Sequence, residues 1–391
     1  MTAPRFTKPR LPSHYYVWSE PPDDSGDESL HFVSERRRIK LKGHSFREFE
    51  RRVIPLLDGE HTLEDIGRSV EDVFALDDLA AGLDLLASQS LLEDGAAHPP
   101  SGIPETRLTP QLNLFHEIGL DISEALQKLG SARLTVFGLS GAGAGLVESL
   151  AATGVGTIRC VDNLSVSPAD VYLSSSFKES NVGSVRSHVI ERSVAERSPT
   201  TKLEIISDEL TSDEAVANAI EGSDFLVVCL DIGQSSLIYK VNRACLKLGI
   251  RWSSCALSGS EVIIGPTVHP YSSPCYLCYK MRTVACAGNP EDAFAFEKML
   301  DRRKKDDSSH RENLVFGAGL AANMLALEAL REIVGLTPVP THGKIVIFDL
   351  LDMSSSKHVI LRKPWCPACF PMASSKNDVP QSEKSKQPES A

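Results

Sequence analysis

Apolar and polar positions alternate regularly near the N-terminus of the chain. In residues 38–42, Ile39 and Leu41 alternate with Arg38, Lys40 and Lys42, a period of two that is typical of a half-buried strand. Another strand, in residues 30–35, precedes it, and three short helical patterns follow it. Two strands and three helices in fewer than a hundred residues predict a small winged-helix-like module in residues 1–96.

The three helical patterns carry their own start signals and apolar stripes. Ser45 is expected to cap the first helix and Thr62 the second, because a hydroxyl can accept a hydrogen bond from the first turn. The third pattern begins near Asp77 and places Leu83 and Leu86 on one apolar face.

Strands and helices alternate over most of the remaining chain, beginning with a helix in residues 111–129. Such alternation predicts a mostly parallel sheet with helices on both faces. The expected strands occupy residues 134–137, 158–161, 203–206, 225–229, 252–256, 262–268, 345–348 and 359–361.

Three polar stretches separate or follow these elements. Residues 97–110 are rich in Pro, Ser and Gly and predict a linker before an α/β domain in residues 111–372. Residues 283–312, which include Cys286, are polar and charged and predict a mobile loop. Residues 373–391 have almost no apolar side chains and predict a disordered tail.

The most informative pattern lies between residues 134 and 162. A short β-branched strand leads into a turn that contains Gly138, Gly141 and Gly143, a helix follows, and a second strand ends at Asp162. Glycines let backbone N–H groups approach phosphates at a helix N-terminus, and a carboxylate in this place can accept ribose hydroxyls. The pattern therefore predicts a βαβ unit of the nucleotide-binding kind.

Composition restricts the classes of function. The formal net charge of −11 argues against nucleic acid as a partner, because such a partner favours a basic surface. No apolar run reaches the length of about 20 residues that a membrane span needs, and the N-terminus lacks the apolar core of a signal peptide. We therefore expect a cytoplasmic protein that binds no membrane.

Two closely spaced cysteine pairs predict a metal centre. Cys275 and Cys278 form one pair, and Cys366 and Cys369 form the other. Four thiolates can close a tetrahedron around Zn²⁺ and leave no open coordination position, so we expect structural zinc. The alternative is two unrelated or redox-active dithiols, but neither pair lies beside a βαβ unit of its own.

The glycine-rich unit, Asp162 and the two late cysteine pairs together resemble the ThiF/MoeB family of ubiquitin-activating-enzyme-like adenylating proteins. The resemblance covers roughly residues 109–370 and implies a Rossmann-like domain that forms a homodimer. Residues 182–186, Val-Gly-Ser-Val-Arg, resemble the VGxxK segment of the family and make Arg186 the counterpart of its lysine. Residues 227–231 resemble the family strand that ends in a magnesium-side acid, here Asp231.

The sequence departs from the family at positions that face the nucleotide. Where the family has NxxRQ, this chain has Asp170, Leu173 and Ser174 in place of the Asn, Arg and Gln. Ser140 stands where a second glycine is expected in the turn. A triphosphate needs facing cations, so the resemblance leaves ATP doubtful as a cofactor and the adenylating site degenerate.

Residues 57–95 resemble the PqqD-like element with which peptide-modifying systems recognise a leader peptide. In that family the leader adds as a strand and packs on the third helix. The resemblance therefore implies a peptide cleft built from residues 37–42 and the third helix. The candidate peptide-binding residues are Arg38, Ile39, Lys40, Leu41, Lys42, Leu83 and Leu86. A DNA-binding winged helix is the alternative, although the rest of the module is acidic.

A peptide-recognition module before a degenerate ThiF-like domain resembles the leader-binding partners of YcaO cyclodehydratases. The implied function is binding of a ribosomal precursor peptide and activation of a YcaO partner for azoline and thiazole formation, without catalysis by this chain alone. The main alternative is an ATP-dependent enzyme that adenylates a peptide itself, as in microcin C- or pantocin-type pathways. A winged-helix regulator and a nicotinamide dehydrogenase fit less well, because the chain is acidic and carries two cysteine pairs.

Overall fold

The computed structural model describes residues 6–95, 105–230, 234–302 and 313–370. The chain divides into two compact units. The first contains residues 1–132, 151–156 and 197–202, and the second contains residues 133–150, 157–196 and 203–391. The tail predicted at 373–391 lies outside the described residues.

The first unit contains a three-stranded antiparallel sheet in the order β2-β3-β4 and a short pair, β1 and β5. These strands are β1 (Pro9–Arg10), β2 (Tyr16–Glu20), β3 (Glu28–Val33), β4 (Arg38–Gly43) and β5 (Glu93–Asp94). The predicted alternation is confirmed, because Ile39 and Leu41 of β4 are half-buried against the core while the basic residues between them are exposed.

Five α-helices lie in the described residues of the first unit. They are α1 (Phe46–Arg52), α2 (Leu63–Ser69), α3 (Leu76–Ser88), α4 (Glu105–Glu117) and α5 (Ile122–Ser131). Thr62 caps α2 as predicted, since its hydroxyl accepts from Asp65 N at 3.2 Å and the Asp65 carboxylate accepts from Thr62 N in return. The cap predicted at Ser45 is wrong. Ser45 has a left-handed backbone (φ 63°) and its side chain accepts no hydrogen bond from α1.

Helix α4 corrects the predicted linker at 97–110. Residues 105–110 form the first turns of this helix even though Pro110 lies inside it. The apolar side chains of Leu108, Leu112 and Phe115 are buried, which explains why the segment is helical despite its proline. Residues 96–104 lie outside the described part of the chain.

The second unit is built on an eight-stranded sheet in the order β13-β12-β11-β10-β9-β6-β7-β8. The strands are β6 (Arg133–Phe137), β7 (Thr157–Val161), β8 (Lys202–Ile206), β9 (Phe225–Val228), β10 (Arg251–Ser258), β11 (Glu261–Ile264), β12 (Lys344–Asp349) and β13 (Ser354–Val359). Strand β6 pairs in parallel with both β7 and β9. The connections therefore reverse direction beside β6, and ligands of open α/β sheets bind at such a point, outside the carboxyl ends of the strands.

The prediction of a mostly parallel sheet is corrected in its last third. Strand β10 pairs in parallel with β9 through its first half and antiparallel with β11 through its second half. Strands β11, β12 and β13 continue the antiparallel order. Short connections produce this arrangement, because two adjacent antiparallel strands need only a tight turn between them.

Eight helices accompany the sheet: α6 (Ala142–Ala152), α7 (Pro168–Leu173), α8 (Arg186–Arg197), α9 (Asp213–Ile220), α10 (Ser235–Leu248), α11 (Tyr276–Ala285), α12 (Pro290–Asp301) and α13 (Val315–Val334). Helix α12 and the end of α11 correct the mobile loop predicted at 283–312, of which residues 303–312 lie outside the described part. Asn289 caps α12 and Pro290 occupies its first turn, which are ordinary helix-start signals. No helix in the described ranges is both long enough and apolar enough to cross a bilayer.

Candidate functional site

The predicted glycine-rich turn lies at the carboxyl end of β6, and its glycines are sterically required. Gly138 has a φ of +83°, and a Cβ on it would lie 2.5 Å from the carbonyl oxygen of Cys229. A Cβ on Gly143 would lie 1.9 Å from the carbonyl oxygen of Gly138. Gly141 also has a positive φ, of +50°. The backbone of the turn therefore adopts a form that only glycine allows at Gly138 and Gly143.

Asp162 holds this turn from the end of the neighbouring strand. Its Oδ2 accepts a hydrogen bond from Leu139 N at 2.7 Å, and its Oδ1 accepts one from Leu164 N at 2.7 Å. The predicted ribose acid thus lies beside the glycine-rich turn, as the βαβ pattern indicated, and it also fixes the backbone of the turn.

Arg186 does not face open space above the turn. Its guanidinium is buried and binds both carboxylate oxygens of Asp170, with Nε 3.0 Å from Oδ2 and Nη2 3.0 Å from Oδ1. Its Nη1 lies 3.5 Å from Asp162 Oδ2. Burial alone would raise the pKa of Asp170, but Arg186 and the hydrogen bonds from Ser167 hold that pKa below its ordinary value. The cation that the sequence suggested for phosphate binding is therefore already paired with two acids.

A cavity of about 260 Å³ adjoins the turn and Asp162. Its polar lining is largely acidic, with Asp208, Glu209 and Asp301 in addition to Asp162. Lys240 also lines it and donates a hydrogen bond to the carbonyl oxygen of Thr211 at 2.5 Å. This lining suits groups that donate hydrogen bonds, such as hydroxyls and exocyclic amines, better than it suits phosphates.

A smaller cavity of about 60 Å³ lies on the other side of the turn. Ser140 and Gly141 line it together with Leu173, at the position where the resembled family has arginine. Its described lining residues include no lysine or arginine. Asp231, the predicted magnesium-side acid, belongs to residues 231–233, which lie outside the described part of the chain.

The sequence did not predict that α12 would contribute to the larger cavity. The Asp301 carboxylate accepts hydrogen bonds from Ser235 N at 2.8 Å and Ser236 N at 3.1 Å, at the N-terminus of α10. An acid is favourable there because the helix dipole and the unpaired N–H groups attract negative charge. The Asn-Pro start of α12 was the signal that could have identified this helix.

The four predicted metal ligands converge on one buried point. The Sγ atoms of Cys275 and Cys366 are 3.8 Å apart, and those of Cys278 and Cys369 are 3.6 Å apart. All four lie within 4.8 Å of one another. A tetrahedron with Zn–S bonds of about 2.3 Å has edges of about 3.8 Å, so this cluster can hold a metal ion such as zinc.

One hydrogen bond shifts the pKa values of the first pair in opposite directions. The hydrogen bond from the Cys275 thiol lowers the pKa of Cys278 below its ordinary value, with help from Lys363 N, although burial opposes the shift. The same hydrogen bond, together with burial, raises the pKa of Cys275. A bound Zn²⁺ would take the place of the shared proton and hold both groups as thiolates.

Some residues of the predicted peptide cleft lie on the surface of the first unit, and others lie in its core. Leu83 and Leu86 of α3 are buried in the core of the first unit and are not available to a ligand. Lys40 lies 2.9 Å from Glu20, and Lys42 lies 3.0 Å from Asp23.

Strand β4 forms one edge of the three-stranded sheet, because β3 is the only described strand that pairs with it. The side chain of Arg38 on this strand is exposed, while Ile39 and Leu41 are half-buried. The available part of the predicted cleft is therefore the edge of β4.

The chain matches curated relatives over most of the length of those relatives. The chain is 25% identical over 252 residues to a sulfur carrier protein adenylyltransferase of Thermus thermophilus, which covers 63% of this chain and 85% of the relative. It is 22% identical to a molybdopterin-synthase adenylyltransferase of Salmonella typhimurium, over 63% of this chain and 90% of the relative.

Solved structures share the fold over more of the chain. Escherichia coli MccB bound to ATP superposes with a TM-score of 0.64 at 16% identity, over 93% of this chain and 99% of MccB. MccB bound to an MccA peptide superposes with a TM-score of 0.65 at 17% identity, with the same coverage. The model of the ThiF family matches residues 108–368, which contain the glycine-rich turn, Asp162 and three of the four clustered cysteines, Cys275, Cys278 and Cys366. The chain therefore belongs to the ThiF family.

Proposed function

We propose that this protein binds the leader of a ribosomally made precursor peptide and presents it to a YcaO cyclodehydratase, which it activates for azoline and thiazole formation. The observation that carries this proposal is the buried Arg186, paired with Asp170 and Asp162 at the place where adenylation needs a cation facing phosphate. Leu173 supports the same conclusion, and so does the absence of a charged side chain among the described residues that line the smaller cavity. These residues fit best a protein that binds a peptide and does not itself catalyse a reaction on it.

The N-terminal module supplies the peptide-binding part of the proposal. An extended leader can add to the edge of β4 and gain main-chain hydrogen bonds, while Ile39 and Leu41 offer apolar contacts beside it. Arg38 is exposed on the same strand, so it favours an acidic leader.

Adenylation of a peptide by this chain is the second candidate, and specific observations favour it. The glycine-rich turn and Asp162 keep the geometry of a nucleotide site. Curated relatives are named adenylyltransferases, and solved MccB structures include complexes with ATP and with MccA peptide. These findings argue against the expectation that ATP is doubtful as a cofactor, so ATP use must be measured.

Leader binding is tested on the full chain, because residues 105–132 belong to the same compact unit as the N-terminal strands and a truncation before α4 would divide that unit. Arg38→Glu should weaken binding of an acidic leader about fivefold in fluorescence polarisation, since an exposed charge contact contributes at most about 1 kcal/mol. Arg51→Glu makes the same charge change at an exposed position of α1 and should leave affinity unchanged. Equal effects of the two variants would contradict recognition at β4.

The reaction is tested by incubating the protein with ATP and precursor peptide, with and without a YcaO partner. We expect loss of water from the peptide and release of ADP only when the partner is present. Release of AMP with peptide alone would establish the adenylating alternative and exclude the first proposal.

A further inference from the structure

Two cysteines outside the four-cysteine cluster lie side by side, Cys229 directly after β9 and Cys255 in the middle of β10. The parallel register pairs Val228 with Ser254, so the next residues, Cys229 and Cys255, are neighbours on adjacent strands. Adjacent strands lie about 4.8 Å apart, within the Cα separation of roughly 4.4–6.8 Å that a disulfide spans. Their Sγ atoms are 3.9 Å apart, with the Cys255 thiol donating to Cys229.

Both thiols line the smaller cavity beside the glycine-rich turn. Cys229 is 5% exposed and Cys255 is partly exposed, so Cys255 is the thiol of the pair that a reagent in solution can reach first. Two fully buried cysteines of the second unit, Cys160 and Cys245, are less suited to oxidation. Burial raises the pKa of Cys160 to about 12 and also raises the pKa of Cys245, which keeps both thiols protonated.

We propose that Cys229 and Cys255 form a reversible oxidation site that is converted to an intramolecular disulfide by a small-molecule disulfide. The more exposed Cys255, as its thiolate, attacks one sulfur of the reagent, forms a mixed disulfide and releases one thiolate. Cys229 then loses its proton and attacks the Cys255 sulfur, which releases the second thiolate. In total, two cysteine thiols are oxidised, one disulfide reagent is reduced, and two reagent thiols leave with the two protons.

The backbone around Cys229 connects this site to the glycine-rich turn. The carbonyl oxygen of Cys229 would lie 2.5 Å from a Cβ built on Gly138. The Cβ of Cys229 would lie 3.4 Å from a Cβ built on Gly143. Joining the two sulfurs requires them to approach closer than their present 3.9 Å, so at least one of these two cavity-lining side chains moves.

The test uses the full-length zinc-loaded protein carrying Cys286→Ser, because Cys286 is exposed and would react separately. The protein is equilibrated with mixtures of oxidised and reduced glutathione, alkylated and digested, and its peptides are analysed by mass spectrometry. We expect a peptide cross-link between Cys229 and Cys255, with the loss of two hydrogen atoms, that dithiothreitol reverses. Adding Cys255→Ser should abolish the cross-link, and adding Cys160→Ala should leave it in place.

Two outcomes would overturn the proposal. One is a stable glutathione adduct on Cys255 while Cys229 remains a free thiol. The other is full alkylation of both thiols under oxidising conditions that form glutathione adducts on unfolded control protein. Zinc content measured on each sample confirms that the variants are folded. The readout is the covalent bond itself, so it succeeds or fails independently of the proposed peptide function.

Discussion

Replacing Asp170 with asparagine tests whether the buried ion pair stabilises the second unit. Asp170→Asn removes the carboxylate charge that binds Arg186 at two points. The guanidinium stays buried, with its Nη1 3.5 Å from Asp162 Oδ2. Removing one partner of a buried pair costs about 3–5 kcal/mol, because the other charge stays desolvated and poorly compensated. We expect a loss of this size in the free energy of unfolding.

The chain offers a matched control on its surface. Arg243 and Asp213 form a similar two-point pair, with Nε–Oδ2 at 3.0 Å and Nη2–Oδ1 at 2.6 Å, but both side chains are about half exposed. Asp213→Asn should therefore cost less than about 1 kcal/mol. The two variants differ mainly in burial.

The assay is urea unfolding followed by the fluorescence of Trp252, which is fully buried in the same unit. Trp18 and Trp365 are replaced by phenylalanine in every sample so that only this transition is seen. If Asp170→Asn destabilises the protein no more than Asp213→Asn does, the reasoning from burial is refuted.

The same pair predicts a pH dependence. Because the pKa of Asp170 is lowered in the folded state, its contribution is present above the ordinary aspartate pKa of about 3.9 and is lost as pH falls through the lowered value. The stability difference between the unsubstituted protein and Asp170→Asn should therefore be constant from pH 5 to 7 and shrink only below about pH 4. A difference that shrinks at higher pH would show that another group dominates.

Three further predictions concern the metal centre, the turn and a helix cap. The native protein should contain about one Zn²⁺ per chain by elemental analysis. Cys366→Ser should lower both this zinc content and the melting temperature. Native protein without zinc would contradict the prediction. Gly143→Ala should destabilise the protein by several kcal/mol because its Cβ would meet a carbonyl at 1.9 Å, whereas Gly145→Ala, whose nearest contact would be 3.3 Å, should be tolerated in thermal unfolding. Thr62→Ala should cost about 1 kcal/mol by removing the capping box of α2, and no change in melting would show that the cap does not contribute.

Local patterns in the sequence were sufficient for several parts of the molecule. The sequence correctly indicated three local features: the alternation in β4, the turn glycines and the acid that ends β7. Each of them is determined by residues within about one supersecondary unit. The cysteine pairs were also predictable, because tetrahedral coordination requires four ligands and each pair is local. The ThiF resemblance is confirmed by the family match, whereas the PqqD-like element, the YcaO partner and a homodimer stay predictions.

Other features depended on contacts between distant residues that no periodicity encodes. Asp170 meets Arg186 across 16 residues, Asp301 meets the start of α10 across 66, and Cys255 meets Cys229 across 26. From the sequence alone, each of these side chains could equally lie on the surface in water. Its partner is decided only when the sheet and helices assemble and bury it. The sequence by itself therefore determined the fold family and the four cysteines that form the cluster. Only the tertiary structure decided that the expected phosphate cation is buried in an ion pair and that two thiols face the turn, because charge pairing and access depend on which groups the fold removes from water.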